Sequence, residues 1–394
     1  MNLNDNVNLK WMRRAIDLAL LGKGRTSPNP LVGAVILDKN GELISEGFHL
    51  KAGLPHAEAM AFDNLKKNPE GGSLYVNLEP CCHEGKTPPC VKRIISSGLK
   101  RVFVSIKDPD LRVAGKGIDQ LKKAGLDVIL GLCKEDATTI NKPFIHRNLT
   151  GQSYGVLKWA MSIDGRIGLK NGKSQWITNN YSRSKVHSIR ADFDAIIIGG
   201  NTLRKDNPLL TSRGKKSPEP LRVVFTKTLN LPKERNLWDC ELAKTLIVYD
   251  GSSANEKYLD ELPKGIEIEK IPSDNPKHLA KLLAERGLNK ILWECGPRLA
   301  TSAFKNGCIQ EIISFIAPKI LGGEGSMTPF TDLNFENMNE VKVLKEGRIQ
   351  FLNGDILLHN IIKYKIKKFN RLRIKSYGSY PRSILLNVNQ LSTL

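Results

Sequence analysis

The chain has 394 residues, of which 40% are hydrophobic and 25% charged, an ordinary composition for a globular protein of about two domains. No apolar run reaches the roughly 18 residues of a membrane-spanning helix, and the N-terminus lacks the pattern of a signal peptide, which predicts a cytoplasmic protein. The formal net charge of +20 raises nucleic-acid binding as a hypothesis. However, eight basic residues and no acidic ones follow residue 355. The positive charge that remains in the rest of the chain fits small phosphorylated substrates and a phosphorylated cofactor.

Residues 1–148 have the pattern of one α/β domain. An apolar stripe ending at Gly22 predicts a first helix, and residues 31–37 and 42–45 predict a β-hairpin around a four-residue turn. Further strands are predicted at residues 73–78, 101–106 and 126–130, and further helices at 56–65, from 90 and at 117–123. This order predicts a sheet covered by helices on both faces.

A domain boundary is predicted near residues 148–152, and a second α/β domain at 152–368. Its predicted strands are at residues 156–161, 195–198, 221–225, 245–249, 290–293 and 312–316, and its predicted helices include 276–286 and 299–305. Such alternation implies a largely parallel sheet. The segment from residue 363 alternates apolar and basic residues and predicts an edge strand, followed at 369–394 by a basic, poorly ordered tail.

The most specific pattern is His56-Ala-Glu58, followed by Pro80-Cys81 and later by Cys90. These residues supply three metal ligands and one carboxylate that is not a ligand, which is the set that zinc hydrolysis of an amino-substituted ring requires. His-x-Glu followed by Pro-Cys is typical of zinc nucleobase and nucleotide deaminases. Seven cysteines, an odd number grouped around this pattern, favour a reducing compartment over a disulfide framework.

Two alternatives to a catalytic zinc site stay open at this point. A structural site would have a fourth protein ligand, for which Cys82 and His83 are candidates. Buried cysteines with a surface glutamate are the other alternative. The local pattern favours catalysis, because helices predicted near His56 and at Cys90 would direct two helix N-termini at one metal, where their partial positive charge favours thiolates.

Glycine turns follow two predicted strands of the second domain, at Gly199-Gly200 and at Gly296. Such turns offer backbone N–H groups to a phosphate, although they also serve chain geometry alone. Asp206 and Glu294 lie near the carboxyl ends of the same strands, where open α/β sheets place their sites. Surface or capping roles are the alternative for both carboxylates.

Together these patterns resemble the bacterial bifunctional riboflavin-biosynthesis deaminase–reductases, from about residue 9 to about residue 365. The strings that carry the resemblance are residues 28–33, 56–58, 78–81, 83, 85–90, 113–117, 158–165, 174–178, 202, 206–211, 294–297 and 316–319. Eight residues separate Cys81 from Cys90, whereas cytidine and transfer-RNA adenosine deaminases usually have two there. The resemblance implies a cytidine-deaminase-like three-layer α/β/α domain and a dihydrofolate-reductase-like α/β domain.

For the first domain, the resemblance implies hydrolytic removal of the 2-amino group from a diaminopyrimidinone that carries a phosphoribosylamino group. His56, Cys81 and Cys90 would hold one Zn²⁺, and Glu58 would transfer protons. The implied substrate contacts are Asn29, His49, His83 and Lys86.

For the second domain, the resemblance implies NADPH-dependent reduction of the ribosyl chain to a ribityl chain, with Asp206 as the proton donor and Glu294 orienting it. The implied NADPH contacts are Ala160, Trp176, Thr202, Asp206, Lys227, Gly296, Pro297, Arg298, Leu299, Ala300, Thr301 and Ser302. The implied substrate contacts are Ser174, Arg190, Leu210, Arg213 and Glu294. The resemblance also implies a homo-oligomer.

The chain departs from the family pattern at three places. Cys82 replaces a common Ser, Lys86 replaces a frequent Arg, and Asp110 with Leu111 replaces a usual Asn-Pro. Two other functions remain as alternatives: a zinc deaminase of nucleic-acid bases whose C-terminal half is a binding module, and a non-catalytic scaffold. The low aromatic content of 6% argues against the first, and intact Glu58 and Asp206 argue against the second.

Overall fold

A computed structural model describes residues 3–84, 88–110, 112–252 and 254–362. Within these ranges the strands form two sheets, one of five strands and one of nine. The five-stranded sheet uses residues before the predicted boundary at 148–152, and the nine-stranded sheet uses residues after it. No helix in this part of the chain is both long enough and apolar enough to cross a membrane.

The first sheet has the order β2-β1-β3-β4-β5, in which β1 is antiparallel to both neighbours and β3, β4 and β5 are parallel. Its strands are β1 Gly33–Leu37, β2 Leu43–Phe48, β3 Ser73–Leu78, β4 Arg101–Ile106 and β5 Asp127–Leu130. The helices are α1 Leu3–Leu20, α2 Ala57–Asp63, α3 Cys90–Ser96, α4 Lys116–Lys123 and α5 Lys134–Thr150.

Alternate residues of the central strands pack into two separate cores, one on each face of this sheet. On one face, Ala34 and Val76 pack with α2, α3 and α4. On the other face, Val35 and Tyr75 pack with α1 and α5. The predicted three-layer arrangement is therefore confirmed, and α5 completes it although the sequence pattern did not predict this helix.

The second sheet has the order β10-β9-β8-β7-β11-β6-β12-β14-β13, parallel from β10 to β12 and antiparallel at its last two pairs. Its strands are β6 Tyr154–Ser162, β7 Ala195–Gly199, β8 Leu221–Thr226, β9 Thr245–Asp250, β10 Glu267–Ile271, β11 Lys290–Trp293, β12 Glu311–Ala317, β13 Leu344–Leu352 and β14 Asp355–Ile362. Its α-helices are α6 Asn180–Arg190, α7 Gly200–Asp206, α8 Pro276–Glu285 and α9 Pro297–Lys305.

The largely parallel order of this sheet confirms the predicted architecture. Because parallel strands are covered on both faces, their side chains are apolar almost throughout, as in residues 195–198 of β7. Two buried cores flank the sheet, one against α8 and α9 and one against α6 and α7. The expected edge strand from residue 363 and the expected poorly ordered tail at 369–394 lie outside the described residues.

Candidate active sites

The first candidate site is formed where β3 ends and where α2 and α3 begin. His56 immediately precedes α2, Cys81 follows β3, and Cys90 is the first residue of α3. Their ligand atoms all lie within 4.8 Å of one another, and Nδ1 of His56 is 3.5 Å from each Sγ atom. One imidazole and two sulfurs are a donor set that suits zinc, so these residues could hold that ion.

The two cysteines differ in their protonation. A hydrogen bond from the Cys90 thiol, assisted by His56, lowers the pKa of Cys81 to about 4. The same bond raises the pKa of Cys90. The backbone N–H of Cys90 also donates to Sγ of Cys81 at 3.3 Å. These contacts favour the thiolate form of Cys81, the form that binds metals.

Glu58 is the carboxylate beside this group. It lies in the first turn of α2, is 4% exposed, and does not belong to the His–Cys–Cys ligand group. Burial, together with the negative charge of Cys81, raises its pKa to about 7. A carboxyl group that titrates near neutral pH can both accept and return a proton.

Cys82 and His83 lie outside the ligand group found among the described residues. The Nδ1 atom of His83 is buried and has no hydrogen-bond partner in this part of the chain. A closed site with a fourth protein ligand therefore has no support among the described residues. The predicted contact Lys86 lies outside the described residues.

Asn29 and His49 form a polar network next to the ligand group. Nδ1 of His49 is 3.0 Å from the carbonyl oxygen of Pro55, so it carries the proton, and Nε2 accepts from the Asn29 amide at 3.0 Å. Burial lowers the pKa of His49, which keeps the ring neutral. Its ring meets that of His56 edge to face at 5.5 Å, so these predicted contacts are brought to the metal group.

Glu79 is a structural support that the sequence analysis missed. It is buried, and its carboxylate accepts hydrogen bonds from the backbone N–H groups of Asp108, Gly115 and Ile118 at 2.9–3.1 Å. These bonds fix the start of α4 and the loop before it against the Pro80-Cys81 turn. The sequence did point to Glu79, because it lies within residues 78–81, one of the strings that carry the family resemblance.

The loop held by Glu79 carries one of the departures from the family pattern. Asp110 accepts bonds from the Arg112 guanidinium at 2.5–3.0 Å, and this ion pair lowers the pKa of Asp110. Burial raises the pKa of the nearby Asp108 to about 7. Asp108 was not singled out from the sequence, although it lies two residues before the Asp110-Leu111 departure.

The second candidate site is a cavity of about 1490 Å³ along β6, β7, β8 and β11. Single small-molecule sites usually enclose about 300–1000 Å³, so this volume accommodates two ligands side by side. Among the described residues, nine Lys or Arg and three Asp or Glu line it, which favours phosphorylated ligands. A side chain at Gly200 would collide with Thr226 at 2.7 Å, so the backbone must approach β8 closely there.

Most predicted reductase residues line this cavity. They are Ala160, Trp176, Thr202, Asp206, Lys227, Gly296, Pro297, Arg298, Leu299, Ser302, Ser174, Arg190, Leu210, Arg213 and Glu294. Ala300 and Thr301 are not brought to the wall. Ala300 packs in the core, and Thr301 is bonded to Thr331. Both lie on the buried face of α9. The sequence prediction included every residue from 296 to 302 and did not distinguish the buried face of the helix from the face toward the cavity.

Glu294 has different partners from the predicted one. Its carboxylate accepts from Nε and Nη2 of Arg190 at 2.7 and 3.1 Å and lies 3.5 Å from Nζ of Lys158, with no bond to Asp206 among the described contacts. The two cations outweigh burial and lower the pKa of Glu294 to about 2. Lys158 was missed, although a lysine inside a buried parallel strand is a signal for a paired charge.

Asp206 ends α7 and faces the cavity, where desolvation raises its pKa. Trp176 is 62% exposed at the mouth, with the Arg183 guanidinium 4.5 Å from its ring centre. Lys227 follows β8 and pairs with Asp274, which also lines the cavity, at 2.5 Å. The cavity thus presents one carboxyl whose pKa is raised by desolvation, together with several cations.

A partly buried His–Cys–Cys group with a buried carboxyl beside it, joined to a parallel sheet with a two-ligand cavity, defines a zinc deaminase fused to a nucleotide-dependent reductase. Comparisons with known proteins agree with this class. Residues 5–106 match the family described as the cytidine and deoxycytidylate deaminase zinc-binding region, and residues 153–357 match the RibD C-terminal domain.

The chain is 41% identical to the riboflavin biosynthesis protein RibD of Synechocystis sp., over 88% of this chain and 94% of that protein. The corresponding values for RibD of Aquifex aeolicus are 36%, 89% and 98%. The solved structure of Acinetobacter baumannii RibD matches with a TM-score of 0.82 at 34% identity, covering 91% of this chain and all of that chain. The chain belongs to the RibD family of riboflavin biosynthesis proteins.

The chain is therefore a bifunctional deaminase and reductase of riboflavin biosynthesis, with zinc in the deaminase and NADPH as the cofactor of the reductase. The predicted family, fold class, enzyme class and cofactors are confirmed. A second half that matches a reductase family does not fit the alternative of a nucleic-acid-binding module. The roles of individual residues, the domain limits and the oligomeric state stay predictions.

Proposed function

We propose that the chain deaminates 2,5-diamino-6-(5-phosphoribosylamino)pyrimidin-4(3H)-one and then reduces the ribosyl chain of the product, giving 5-amino-6-(5-phosphoribitylamino)uracil. Residues 1–148 would carry out the first step and residues 152–368 the second. A related structure from Thermotoga maritima, 30% identical with a TM-score of 0.81, bears the names of these two activities. The observation that carries the proposal is the buried Glu58 beside three converging zinc ligands.

In the deaminase, His56, Cys81 and Cys90 would hold zinc, which supplies Lewis acidity toward a water molecule. Glu58 takes a proton as water attacks the ring carbon that bears the 2-amino group. It delivers this proton to the ring nitrogen, then takes a second proton from the new hydroxyl group and delivers it to the amino group. The C–N bond breaks, a carbonyl forms and ammonia leaves. Its pKa near 7 suits both directions of transfer.

Asn29, His49, His83 and Lys86 would bind the substrate. The tautomer of His49 leaves its Nε2 as an acceptor for the amide of Asn29, so the Asn29 carbonyl oxygen is directed elsewhere and can accept from a ring N–H or amino group. The unpartnered Nδ1 of His83 supplies a further polar contact. Lys86 would contact the phosphate as a flexible point charge.

In the reductase, NADPH supplies the hydride that reaches the anomeric carbon of the opened sugar. Asp206 would give the accompanying proton, because desolvation raises its pKa and favours the protonated form. Glu294 stays ionised between Arg190 and Lys158, so it would accept a bond from a sugar hydroxyl and cannot serve as the donor. Arg190 and Arg213 would bind the 5-phosphate through paired N–H donors.

The residues that line the cavity are proposed to fall into two groups, one that contacts the cofactor and one that contacts the substrate. The cofactor side would comprise Ala160, Trp176, Thr202, Lys227, Gly296, Pro297, Arg298, Leu299 and Ser302. The substrate side would comprise Ser174, Arg190, Leu210, Arg213 and Glu294. A homo-oligomer and a cytoplasmic location also remain proposals, for which sedimentation and cell fractionation are the direct measurements.

The test uses the full chain loaded with zinc. Ammonia release from the diaminopyrimidinone should occur without NADPH, and NADPH should be consumed when the deaminated compound is supplied. A chain that consumes no NADPH with the deaminated compound would refute the second step. Ammonia release from cytosine in single-stranded DNA at a comparable rate would instead favour the nucleic-acid alternative.

A further inference from the structure

Residues 27–29, which lead into the deaminase site, are held by side chains of the nine-stranded unit. The hydroxyl of Ser27 donates to Oδ2 of Asp194 at 2.8 Å. The side-chain amide of Asn289 donates to the carbonyl oxygens of Pro28 and Asn29, at 3.3 Å each. Asn289 is 5% exposed, so these bonds are shielded from water.

The two holding residues are themselves fixed. Asp194 immediately precedes β7, and its Oδ2 atom also accepts the backbone N–H groups of Asn289 and Lys290 at 2.8 and 2.9 Å. Asn289 immediately precedes β11. One carboxylate oxygen therefore joins the starts of two central strands to Ser27, and the rigid sheet sets the position of the segment.

The two units also approach closely at Gly24, before this segment, and at Pro28 within it. Gly24 has a φ of +77°, and a Cβ atom there would lie 2.4 Å from the carbonyl oxygen of Ala191. Gly287, with a φ of +83°, would place a Cβ atom 3.1 Å from Cβ of Pro28. Because the two units are this close at both points, residues 27–29 have little freedom to shift relative to the nine-stranded sheet.

From this segment a short path leads to the metal ligands. The amide of Asn29 donates to Nε2 of His49, whose Nδ1 donates to the carbonyl oxygen of Pro55, the residue before His56. The main chain of Asn29 is thus held by Asn289, and its side chain is held by His49. The orientation of the Asn29 carboxamide depends on both.

We propose that Asp194 and Asn289 are positioning residues for deamination, through which the reductase unit completes the deaminase pocket. This inference rests on the proposed function, because the position of Asn29 matters only where Asn29 contacts the pyrimidine. Asp194 and Asn289 act through residues 27–29 and touch neither the zinc ligands nor the cavity of the reductase among the described residues.

The test combines Ser27→Ala with Asn289→Leu in the full chain. Loss of the three bonds removes the hold of the nine-stranded sheet on residues 27–29, while the bonds of Asn29 to His49 and of Arg147 to Pro28 remain. The carboxamide of Asn29 should then be placed less accurately, and a contact made equally in ground and transition states appears in KM. The KM for the diaminopyrimidinone should rise about tenfold with kcat unchanged within about threefold. Zinc content and the reductase kcat/KM for the deaminated compound should stay unchanged within about twofold.

Two further variants separate positioning from general stability. Lys23→Gln breaks a different contact between the units, the exposed 2.6 Å pair with Asp192, and should leave the deaminase KM unchanged. Ser27→Thr keeps the hydroxyl. Combined with Asn289→Leu, it should give a lower deaminase KM than the combination of Ser27→Ala with Asn289→Leu.

Three outcomes would overturn the inference: an unchanged deaminase KM in the double variant, the same rise in KM in Lys23→Gln, or a parallel fall of both kcat values together with the Tm. Failure of the proposed function is recognised separately, because the unsubstituted enzyme would then release no ammonia from the diaminopyrimidinone. An active unsubstituted enzyme with an unaffected double variant refutes positioning alone.

Discussion

The two candidate sites are built in opposite ways. The deaminase site is compact and partly buried, with ligand atoms within 4.8 Å of one another that come from three chain segments, at His56, Cys81 and Cys90. The reductase site is a wide cavity whose charged centre joins Lys158, Arg190 and Glu294 from three different elements. A metal site requires a few donors at fixed spacing, whereas a site for two extended ligands distributes its binding over many residues.

This difference predicts different sensitivities. In the deaminase, one side chain carries most of the proton transfer, so a single substitution should abolish one reaction and leave the other intact. In the reductase, charge and shape are shared among many residues, so single substitutions should produce graded losses. The following predictions test this contrast, from the largest expected effect to the smallest.

Glu58→Gln should lower the rate of ammonia release by about 10²–10⁴-fold, because the amide cannot accept and return the proton. Glu58 is not one of the three ligands, so zinc content measured by atomic absorption should remain one ion per chain. NADPH oxidation with the deaminated compound serves as the internal control and should not change. Normal ammonia release by this variant would show that another group moves the proton.

Glu294→Gln should lower the free energy of unfolding at pH 7 by about 3 kcal/mol, since it leaves Arg190 and Lys158 without their buried counter-charge. The pKa of Glu294 is depressed from 4.5 to about 2, so its contribution is complete above pH 4.5 and is lost as the pH falls toward 2. Urea unfolding should therefore show the variant and the unsubstituted chain converging across that window.

A matched Glu→Gln control is available on the surface. Glu285 lies 3.7 Å from Lys281 on α8, and both side chains are more than half exposed. Glu285→Gln should change the free energy of unfolding by less than about 1 kcal/mol. An equal loss of unfolding free energy in both variants would contradict the stabilising role given to the buried ion cluster of Glu294, Arg190 and Lys158 (the Glu294 cluster).

Asp206→Asn should lower the reductase kcat by about 10²-fold and leave ammonia release unchanged. The raised pKa of Asp206 keeps it protonated to higher pH than an ordinary aspartate, so reductase activity should fall as the pH rises through that pKa. In the Asp206→Asn variant this part of the pH profile of kcat should disappear. Retention of the same pH dependence in the variant would exclude Asp206 as the proton donor.

Lys227→Ala should raise the KM for NADPH by up to about tenfold with little change in kcat, because an exposed cation at the cavity rim contributes modestly. The effect should shrink as salt is added. Lys233→Ala, which removes an exposed ion pair away from the cavity wall, is the matched control. A loss of about 10²-fold or more from Lys227→Ala would show that this site also depends on single residues.

The local part of the molecule was predictable from sequence. Residues 73–78 and 101–106 were predicted as strands with the limits of β3 and β4, because apolar runs between turn signals are short-range patterns. The metal ligands followed from the same short-range reasoning. The Glu294 cluster did not, because its partner Arg190 lies 104 residues away and nothing local specifies that pairing.

Among the elements that the sequence analysis did not predict, helix α5 and the hairpin of β13 and β14 were missed for different reasons. Helix α5 contains Pro143, and its apolar residues form no strong stripe, so the usual signals of a helix are weak. The hairpin of β13 and β14 had a usable signal in Asn353-Gly354. Both residues have positive φ, 52° and 96°, as a two-residue turn of this type requires. The sequence analysis instead predicted an edge strand from residue 363, on the alternation of apolar and basic residues there.

The absence of a side chain at Gly24 has a consequence for how such a fusion can change over generations. Since a single methyl group there would press on the carbonyl oxygen of Ala191, the first unit is constrained by its neighbour at a position unrelated to its own chemistry. Grafting either half onto an unrelated protein would discard the matching surface. A side chain at position 24 could thus be accommodated only if the main chain near Ala191 moved as well.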